Sequence, residues 1–269
     1  MKTIGILAKK LNHSLSPIIH NYWANKYKSN LKYKKFEISE LKLKKFFQKV
    51  KMSKNILGLN ITIPYKEQCI IYCDKITNRS KKIGSINFIY KKGKLICGDN
   101  TDIIGFSKCF YHLKLSSLRS VLVVGAGGAA RSILYFLNKK KICNIDIYTK
   151  SLRRKKGILM DFSINNFTNN SIKLKKRYDL IINASSAGMI GKTKLNRNIL
   201  KLVPKSKGVI DIVYNPLITE LINCANKNQI QNIGGLKMLI EQAKPCYEKW
   251  ANKKIRLDEE IFEMLKSKL

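Results

Sequence analysis

A glycine-rich turn near the middle of the chain constrains the fold more than any other feature of the sequence. The run Gly125-Ala126-Gly127-Gly128-Ala129-Ala130 follows the apolar segment VLVV and precedes a segment with helical periodicity. In such a strand–turn–helix unit, the first glycine permits the tight turn and the second lets a pyrophosphate approach the backbone. The helix N-terminus then attracts the phosphate charge. The pattern predicts a dinucleotide-binding unit, with an ordinary tight strand-to-helix turn as the alternative.

The rest of the chain alternates strand-like apolar runs with helical segments. In the first half, the pattern predicts strands at 3–8, 33–38 and 56–63, helices at 17–28, 40–50, 66–73 and 77–83, and a hairpin that turns at Lys92-Gly93. In the second half, it predicts strands within SVLVV, NIDIYTK, YDLIINAS and GVIDIVY, and helices near 216–227, 236–250 and 257–268. Unbroken apolar runs are typical of parallel strands that helices cover on both faces. We therefore expect an α/β protein, with a domain boundary near Asp99–Thr101.

The charge of the chain is extreme and needs an explanation. There are 53 Lys and Arg against 17 Asp and Glu, a formal net charge of +36, which suggests nucleic acid or an anionic membrane as a partner. However, only eight of the 53 cations are Arg. Lys, Asn and Ile share codons rich in A and T, so drift in an AT-rich genome explains their abundance. Because Lys is spread along most of the chain, we favour an incidental charge, with no specific nucleic-acid partner and no membrane partner.

The cysteines and histidines do not form a recognisable metal or disulfide pattern. Seven cysteines, at positions 69, 73, 97, 109, 143, 224 and 246, form no CxxC pair, and three histidines lack metal-ligand spacing. We expect no metal, reduced and mostly buried thiols, and a cytoplasmic protein. The apolar run at the start is too short for a signal peptide, and no stretch approaches a membrane span. Trp23 and Trp250 are expected in the core.

The end of the second strand in the glycine-rich unit indicates which dinucleotide binds. An NAD site needs an Asp or Glu there for the ribose 2′-OH. The segment instead ends in Thr149-Lys150-Ser151 and continues with Leu152-Arg153-Arg154, whereas Asp146 lies inside the strand. A hydroxyl and several cations fit the 2′-phosphate of NADP. Because Arg is scarce in this chain, the two adjacent arginines carry more weight than any Lys.

Three polar segments of the first half are candidates for a substrate site. Ser14 and Ser16 precede Pro17 at an expected helix start, where their hydroxyls could bind a carboxylate or simply cap the helix. Lys66, in NITIPYKE, stands at the expected start of another helix, where the helix dipole gives a Lys no advantage. Asp102, in GDNTD, could cap a helix or act as the acid–base partner of Lys66.

Together these segments resemble the shikimate dehydrogenase family. HSLSP, NITIPYKE, GDNTD and GAGGAAR are similar to the family's substrate-carboxylate loop, its N-V-T-x-P-x-K-E and G-D-N-T-D segments, and its cofactor loop. The similarity continues through DLIINASSAGM, DIVYNP and GGLKMLIEQA, in the family's order and over almost the whole chain. The resemblance implies the reversible, NADPH-dependent reduction of 3-dehydroshikimate to shikimate, a step of the shikimate pathway toward aromatic amino acids.

The resemblance also implies the domains and the roles of individual residues. A shikimate-binding domain with a mixed sheet would comprise 1–101 and the C-terminal helices at about 240–269, and a Rossmann-type, doubly wound NADP-binding domain would comprise 102–239. Lys66 would be the catalytic acid/base, paired with Asp102. The substrate-binding residues would be Ser14, Ser16, Thr62, Asn87, Asp102, Tyr214 and Gln242. The cofactor-binding residues would be Gly125, Ala126, Gly127, Gly128, Ala129, Thr149, Lys150, Ser151, Arg153, Arg154, Ile212 and Gly235.

Several positions depart from the family's pattern. Ala8-Lys9-Lys10 stands where the family has G-N-P, Phe88 replaces a Thr, and Lys237 replaces a Gly beside the nicotinamide. Thr149-Lys150-Ser151 replaces Asn-Arg-Thr, and a Lys offers phosphate a weaker fork than an Arg. These departures bear on rate and cofactor affinity, whereas the acid–base pair is intact.

Two other functions would each require a different sequence pattern. A quinate/shikimate dehydrogenase that uses NAD would need an acidic residue at the end of the second strand. A basic nucleic-acid-binding protein on a Rossmann scaffold would need clustered cations with interleaved exposed aromatics. Neither pattern stands out in the sequence, and a homodimer is left open.

Overall fold

The structure of the protein is a computed structural model that describes residues 1–11, 14–142 and 144–269, and the chain forms two compact units. The first unit contains Met1–Thr101 and Ile240–Lys268. The second contains Asp102–Leu239 and the last residue, Leu269. His13, next to the predicted substrate loop, lies outside the described residues.

Strands and helices alternate along the described chain. The strands are β1 (Lys2–Ala8), β2 (Leu31–Glu37), β3 (Ile56–Ile61), β4 (Lys75–Ile76), β5 (Phe88–Lys92), β6 (Leu95–Asp99), β7 (Val121–Val124), β8 (Ile145–Tyr148), β9 (Asn166–Thr168), β10 (Leu180–Asn183), β11 (Gly208–Asp211) and β12 (Gln231–Ile233). The α-helices are α1 (Ser16–Lys26), α2 (Leu43–Met52), α3 (Asn78–Ile83), α4 (Asp102–His112), α5 (Gly128–Lys139), α6 (Lys155–Asp161), α7 (Arg197–Leu200), α8 (Glu220–Lys227), α9 (Gly235–Ala251) and α10 (Glu259–Lys266). Short 3-10 helices lie at Glu40–Lys42, Gln68–Tyr72, Leu152–Arg154, Ser171–Lys173 and Val203–Lys205.

The first unit is built around a mixed sheet with the strand order β2-β1-β3-β5-β6-β4. β1 runs parallel to both β2 and β3, whereas β5 pairs antiparallel with β3 and with β6. Leu59 of β3 and Phe47 of α2 belong to one apolar core of this unit. Trp23 and Trp250 are buried, so the prediction that both are core residues is confirmed.

The second unit is built around a parallel sheet with the strand order β12-β11-β10-β7-β8-β9. The chain begins at the centre with β7, moves outward through β8 and β9, and returns to add β10 to β12 on the other side. Val121 and Val123 of β7 pack into the core on one face, and Leu122 and Val124 pack into the core on the other. A parallel sheet with a core on each face is a doubly wound, Rossmann-type sheet. The predicted fold class is therefore confirmed.

The segment after β3 differs from the sequence prediction. β3 ends at Ile61, and the α-helix predicted at 66–73 is wrong, since a 3-10 helix at Gln68–Tyr72 forms instead. The Lys66 carbonyl accepts a hydrogen bond of 2.8 Å from the Ile86 amide, so it is engaged by another segment rather than by a helical ladder. Lys66 lies in a turn before the short helix, so it does not stand at the start of an α-helix whose dipole would disfavour it.

Turns and short strands account for the other differences. The hairpin β5–β6 turns at Gly93-Lys94 rather than at Lys92-Gly93, because Lys92 pairs with Leu95. Gly93 has a φ of +59°, a conformation that glycine adopts without strain. The sequence prediction missed β4, β9 and β12, because segments of two or three residues are too short to show a period.

Most of the described cysteines are buried, as expected. Within the described chain, Cys69, Cys73, Cys97, Cys109, Cys224 and Cys246 are free, and all except Cys73 and Cys224 are buried. Among residues 1–11, 14–142 and 144–269, no group of three or more His, Cys, Asp or Glu side chains could hold a metal ion. In the same ranges, no helix combines the length and the apolar character that a membrane span requires.

Candidate active site

The glycine-rich turn lies between β7 and α5, at the carboxyl end of the central strand. Gly125 has a φ of +109°, and a Cβ there would meet the Ala184 backbone at 3.0 Å. Gly127 is different, because its φ of −88° suits any residue and a Cβ there would have no atom within 4 Å in the described structure. As the N-cap residue of α5, Gly127 has no side chain to bond to the first-turn N–H groups. The turn therefore leaves room for an anion at a helix N-terminus.

Cations follow the end of β8, where the dinucleotide type is decided. Lys150, Arg153 and Arg154 are exposed, and the Ser151 side chain accepts a hydrogen bond from the Arg153 amide. Thr149 is half-buried, and its amide donates to the Thr168 carbonyl of β9 at 3.0 Å. A 2′-phosphate could bind to these groups, whose charge and hydroxyls suit it.

Asp146 is the acidic residue nearest in sequence to the end of β8, and its side chain is buried in the core. It is 1% exposed, and its carboxylate accepts a hydrogen bond of 2.6 Å from the Tyr178 hydroxyl. Burial and the Asp146 carboxylate raise the pKa of Tyr178 well above its usual value, so the phenol keeps its proton. Asp146 is therefore not available to bind a ribose hydroxyl.

The residues predicted to border the nicotinamide, Ile212 and Gly235, lie against each other in the second unit. A Cβ on Gly235 would lie 2.2 Å from the Ile212 carbonyl oxygen, and the Gly235 amide donates to the Val213 carbonyl at 3.1 Å. This close approach requires glycine at the start of α9. Tyr214 follows in the same loop and is half-buried.

A buried carboxylate that the sequence analysis missed, Asp211, joins the loops after β10 and β11. It accepts hydrogen bonds from the Asn183 side-chain amide at 2.9 Å, the Val213 amide at 3.0 Å and the Thr219 hydroxyl at 2.7 Å. Burial raises the pKa of Asp211 to about 6, although these donors oppose the shift. Asn183 also donates to the Ala187 carbonyl at 2.9 Å, which ties down the loop after β10.

In the first unit, the structure brings Asn87 and Gln242 together. The Asn87 side-chain amide donates to the Gln242 side-chain oxygen at 3.0 Å, and the Asn87 oxygen accepts from the Thr101 amide at 2.7 Å. Asn87 and Thr101 are buried, whereas Gln242 is half-buried. Thr101 was not among the predicted site residues, although it lies inside GDNTD next to Asp102. The sequence feature that could have identified Thr101 is its hydroxyl, in a polar run directly after a strand.

Backbone hydrogen bonds join Ile61, which precedes Thr62, and Lys66 to the segment Ile86–Asn87. The Lys66 carbonyl accepts from Ile86, the residue before Asn87, and Lys66 is half-buried. Thr62 follows β3, and its amide donates to the Leu7 carbonyl at 3.1 Å. Asp102, the first residue of α4, is 4% exposed and belongs to the second unit. Its pairing with Lys66 stays a prediction.

Ser14 and Ser16 are adjacent at the start of α1. The Ser16 amide donates to the Ser14 hydroxyl at 3.4 Å, and Ser16 is 5% exposed. Neither serine is the N-cap residue, since that position belongs to Leu15 and carries no side-chain cap. The alternative that they merely cap the helix is therefore not supported. In the same unit, the Tyr33 hydroxyl donates to the Asn60 side-chain oxygen at 2.8 Å.

The positions that depart from the family's pattern have defined places in the structure. Phe88 is buried against the Trp250 ring, with 5.1 Å between ring centroids, so it fills the core. The Lys237 ammonium lies 3.3 Å from the His112 ring nitrogen Nδ1. Lys9 and Lys10 are exposed after β1.

The chain is similar to known proteins over almost its whole length. The family described as "Shikimate dehydrogenase substrate binding domain" matches residues 6–89. The "Shikimate dehydrogenase (NADP(+))" of Clostridium perfringens strain 13 is 35% identical over 99% of this chain and 99% of its own length. The protein of that name from Methanococcus maripaludis is 33% identical over 94% of this chain and 92% of its own. A crystal structure of shikimate dehydrogenase 1 from Peptoclostridium difficile matches with a TM-score of 0.85 and 29% identity, covering 99% of this chain and 97% of that one.

Proposed function

Because this chain belongs to the shikimate dehydrogenase family, we propose that it catalyses the reversible, NADPH-dependent reduction of 3-dehydroshikimate to shikimate. The observation that carries the proposal is the hydrogen-bonded group Asn87, Thr101 and Gln242. The residue before Asn87, Ile86, donates its amide hydrogen bond to the Lys66 carbonyl. Buried amides and hydroxyls of this kind recognise ring hydroxyls, because a substrate without those groups would leave them unpaired.

The first unit supplies most of the residues that bind the substrate and the residue that protonates it, Lys66. Ser14 and Ser16 hold its carboxylate, and Thr62, Asn87, Asp102, Tyr214 and Gln242 hold the ring hydroxyls, the second unit contributing Asp102 and Tyr214. The Lys66 ammonium donates a proton to the carbonyl oxygen during reduction and takes it back from the hydroxyl during oxidation. The Asp102 carboxylate accepts a hydrogen bond from Lys66 and orients it. This chemistry needs no metal.

The second unit supplies the residues that hold NADP. The open space over Gly127 and the N-terminus of α5 fit a pyrophosphate, with Gly125, Ala126, Gly128 and Ala129 forming the rest of the turn. Thr149, Lys150, Ser151, Arg153 and Arg154 hold the 2′-phosphate, and Ile212 with Gly235 borders the nicotinamide. When bound, the reduced cofactor supplies the hydride that adds to the carbonyl carbon. These assignments make 102–239 the NADP-binding domain, and 1–101 with the C-terminal helices the substrate-binding domain.

Neither alternative function gains support. The NAD-dependent quinate/shikimate dehydrogenase lacks its acidic residue, because Asp146 is buried and bonded to Tyr178. The nucleic-acid-binding alternative is not favoured, since the relatives carry the name of an NADP-dependent enzyme. We place the enzyme in the cytoplasm, where a reducing environment suits its free thiols.

The substitution Lys66→Ala tests the proposal. We expect kcat to fall about 10²- to 10⁴-fold, the usual contribution of a general acid–base group, while the Kd of shikimate changes only a few-fold. Lys75→Ala is the matched control, because Lys75 is exposed on β4 and has no proposed role. A Lys66→Ala enzyme that keeps most of its kcat would exclude Lys66 as the acid/base.

A further inference from the structure

We infer that Arg79 is a positioning residue for substrate binding, acting through Asp99 on the segment Asn100–Asp102. The inference rests on the proposed function, since it deepens the assignment of Asn87 and Asp102 to the substrate site. Neither Arg79 nor Asp99 was among the predicted site residues. Both belong to the first unit, on α3 and at the end of β6.

The Asp99 carboxylate, three residues before Asp102, accepts hydrogen bonds from several groups. Its Oδ1 accepts from the Thr77 hydroxyl at 2.6 Å and from Arg79 Nε at 2.7 Å, and its Oδ2 accepts from Arg79 Nη2 at 2.5 Å. The Ser80 hydroxyl adds a longer bond of 3.3 Å. The two arginine bonds form a side-on fork, which fixes the plane of the carboxylate as well as its position.

The fixed carboxylate holds the backbone that leads to Asp102. Oδ1 also accepts from the Asn100 amide at 2.7 Å, and the Asp99 carbonyl accepts from the Asn87 amide at 3.1 Å. The next amide, that of Thr101, donates to the Asn87 side-chain oxygen at 2.7 Å. Asp99 therefore bonds directly to the backbone on both sides of the Asn87–Thr101 contact. If the carboxylate rotates, that contact loses its alignment.

The Asn100 side chain anchors the segment independently of Asp99. Rotation of the Asp99 carboxylate therefore need not unfold the segment. Its side-chain amide donates to the Ser85 carbonyl at 3.0 Å and to the Ser85 hydroxyl at 3.2 Å, and Asn100 is fully buried. These bonds remain when the fork is lost. We therefore expect a variant at Arg79 to stay folded while the amides of Asn100 and Thr101 shift.

The composition of the chain indicates that position 79 requires an arginine. Arg supplies only eight of 53 cations, so an Arg that persists among so many Lys marks a place where the planar fork matters. A Lys would keep the charge but present one point donor to the carboxylate. The side chains of Arg79 and Asp99 are 34% and 14% exposed, and an ion pair this close to the surface contributes little to stability by itself.

Arg79→Lys is the test, with kinetics measured separately for each substrate. We expect kcat/KM for shikimate to fall about 10- to 100-fold, as small misplacements at a reacting site do, while KM for NADP stays within two-fold. Arg131→Lys is the matched control, because Arg131 also donates to a carboxylate, that of Asp161, in the second unit. This control should keep the wild-type kcat/KM for shikimate.

Hydrogen exchange provides a readout that does not depend on turnover. In Arg79→Lys, the amides of Asn100 and Thr101 should exchange faster, while amides of β3 keep their protection. Unchanged exchange there together with unchanged kcat/KM for shikimate would overturn the inference. The inference would also be overturned if both Arg→Lys variants lost activity, each in proportion to the fall in its melting temperature. That result would indicate a purely structural role for Arg79. A folded wild-type protein without shikimate activity would instead refute the proposed function, and the exchange rates would still decide whether Arg79 holds the segment.

Discussion

Gly125 and Gly127 occur two residues apart in one turn, yet the structure requires them for different reasons. Gly125 adopts a φ of +109° and packs against the Ala184 backbone, so it is needed for folding. Gly127 has an ordinary φ and open space where a side chain would be, so folding does not need a glycine there. The sequence motif predicted both glycines from a known pattern. It could not tell which of them serves the fold and which serves the ligand.

Gly127→Ala should therefore separate cofactor binding from stability. The added methyl enters the open space assigned to the pyrophosphate, and we expect the Kd of NADP to rise by about tenfold or more, equivalent to about 1.4 kcal/mol. The melting temperature should stay near that of the wild type. Gly157→Ala is the control, because a Cβ there also meets no atom within 4 Å of the described chain and Gly157 lies in α6. Equal NADP affinity in all three proteins would remove the pyrophosphate from this turn.

The loops after β10 and β11 show how elements position a site. Asp211 ends β11 and bonds to Asn183 at the end of β10 and to Thr219 at the start of α8. The apolar runs of both strands predicted these elements, because a buried parallel strand is apolar throughout. The hydrogen bonds between the loops could not be predicted, since they join residues that only the strand order brings together. The same reason explains why the 3-10 helix after Lys66 was missed.

Gly235→Ala should disturb the contact between α9 and the loop after β11. A Cβ 2.2 Å from the Ile212 carbonyl oxygen forces the backbone apart, and we expect a loss of about 1–3 kcal/mol in the free energy of unfolding, as for overpacked cores. NADP affinity should fall as well, because Ile212 moves. Gly234→Ala, whose nearest contact beyond its chain neighbours would be at 3.6 Å, is the control for denaturant unfolding. Similar stability of the two variants would contradict the contact.

At the scale of the molecule, the alternation of apolar runs predicted the α/β class, and a set of ordered motifs predicted the two kinds of sheet. The full strand order of the Rossmann-type sheet could not be predicted from the sequence, because β9 and β12 are too short to show a pattern. Thr101, Asp211 and Asp99 were missed for a related reason. A buried polar residue acquires its role from partners that are distant in the sequence, and composition carries no information about them.

The net charge of +36 should weaken the fold rather than serve the reaction. Only 17 acidic residues are present against 53 basic ones, so acidic side chains cannot neutralise most of the positive charge. Salt screens charges over about 8 Å at physiological ionic strength, and we expect the melting temperature to rise with moderate salt. Shikimate and NADP should raise it further, because they bind the folded state. If a defined nucleic acid stabilised the protein at physiological salt while both ligands had no effect, the charge would be the function.

The initial rate of NADPH formation from NADP and shikimate tests the central claim most directly. It should be compared with three reactions of the same purified protein: NAD with shikimate, NADP with quinate, and NAD with quinate. The account predicts turnover that depends on shikimate, with a higher kcat/KM for NADP than for NAD because Lys150, Arg153 and Arg154 follow β8. A folded protein that forms no NADPH from shikimate, or that uses NAD with quinate equally well, would contradict it.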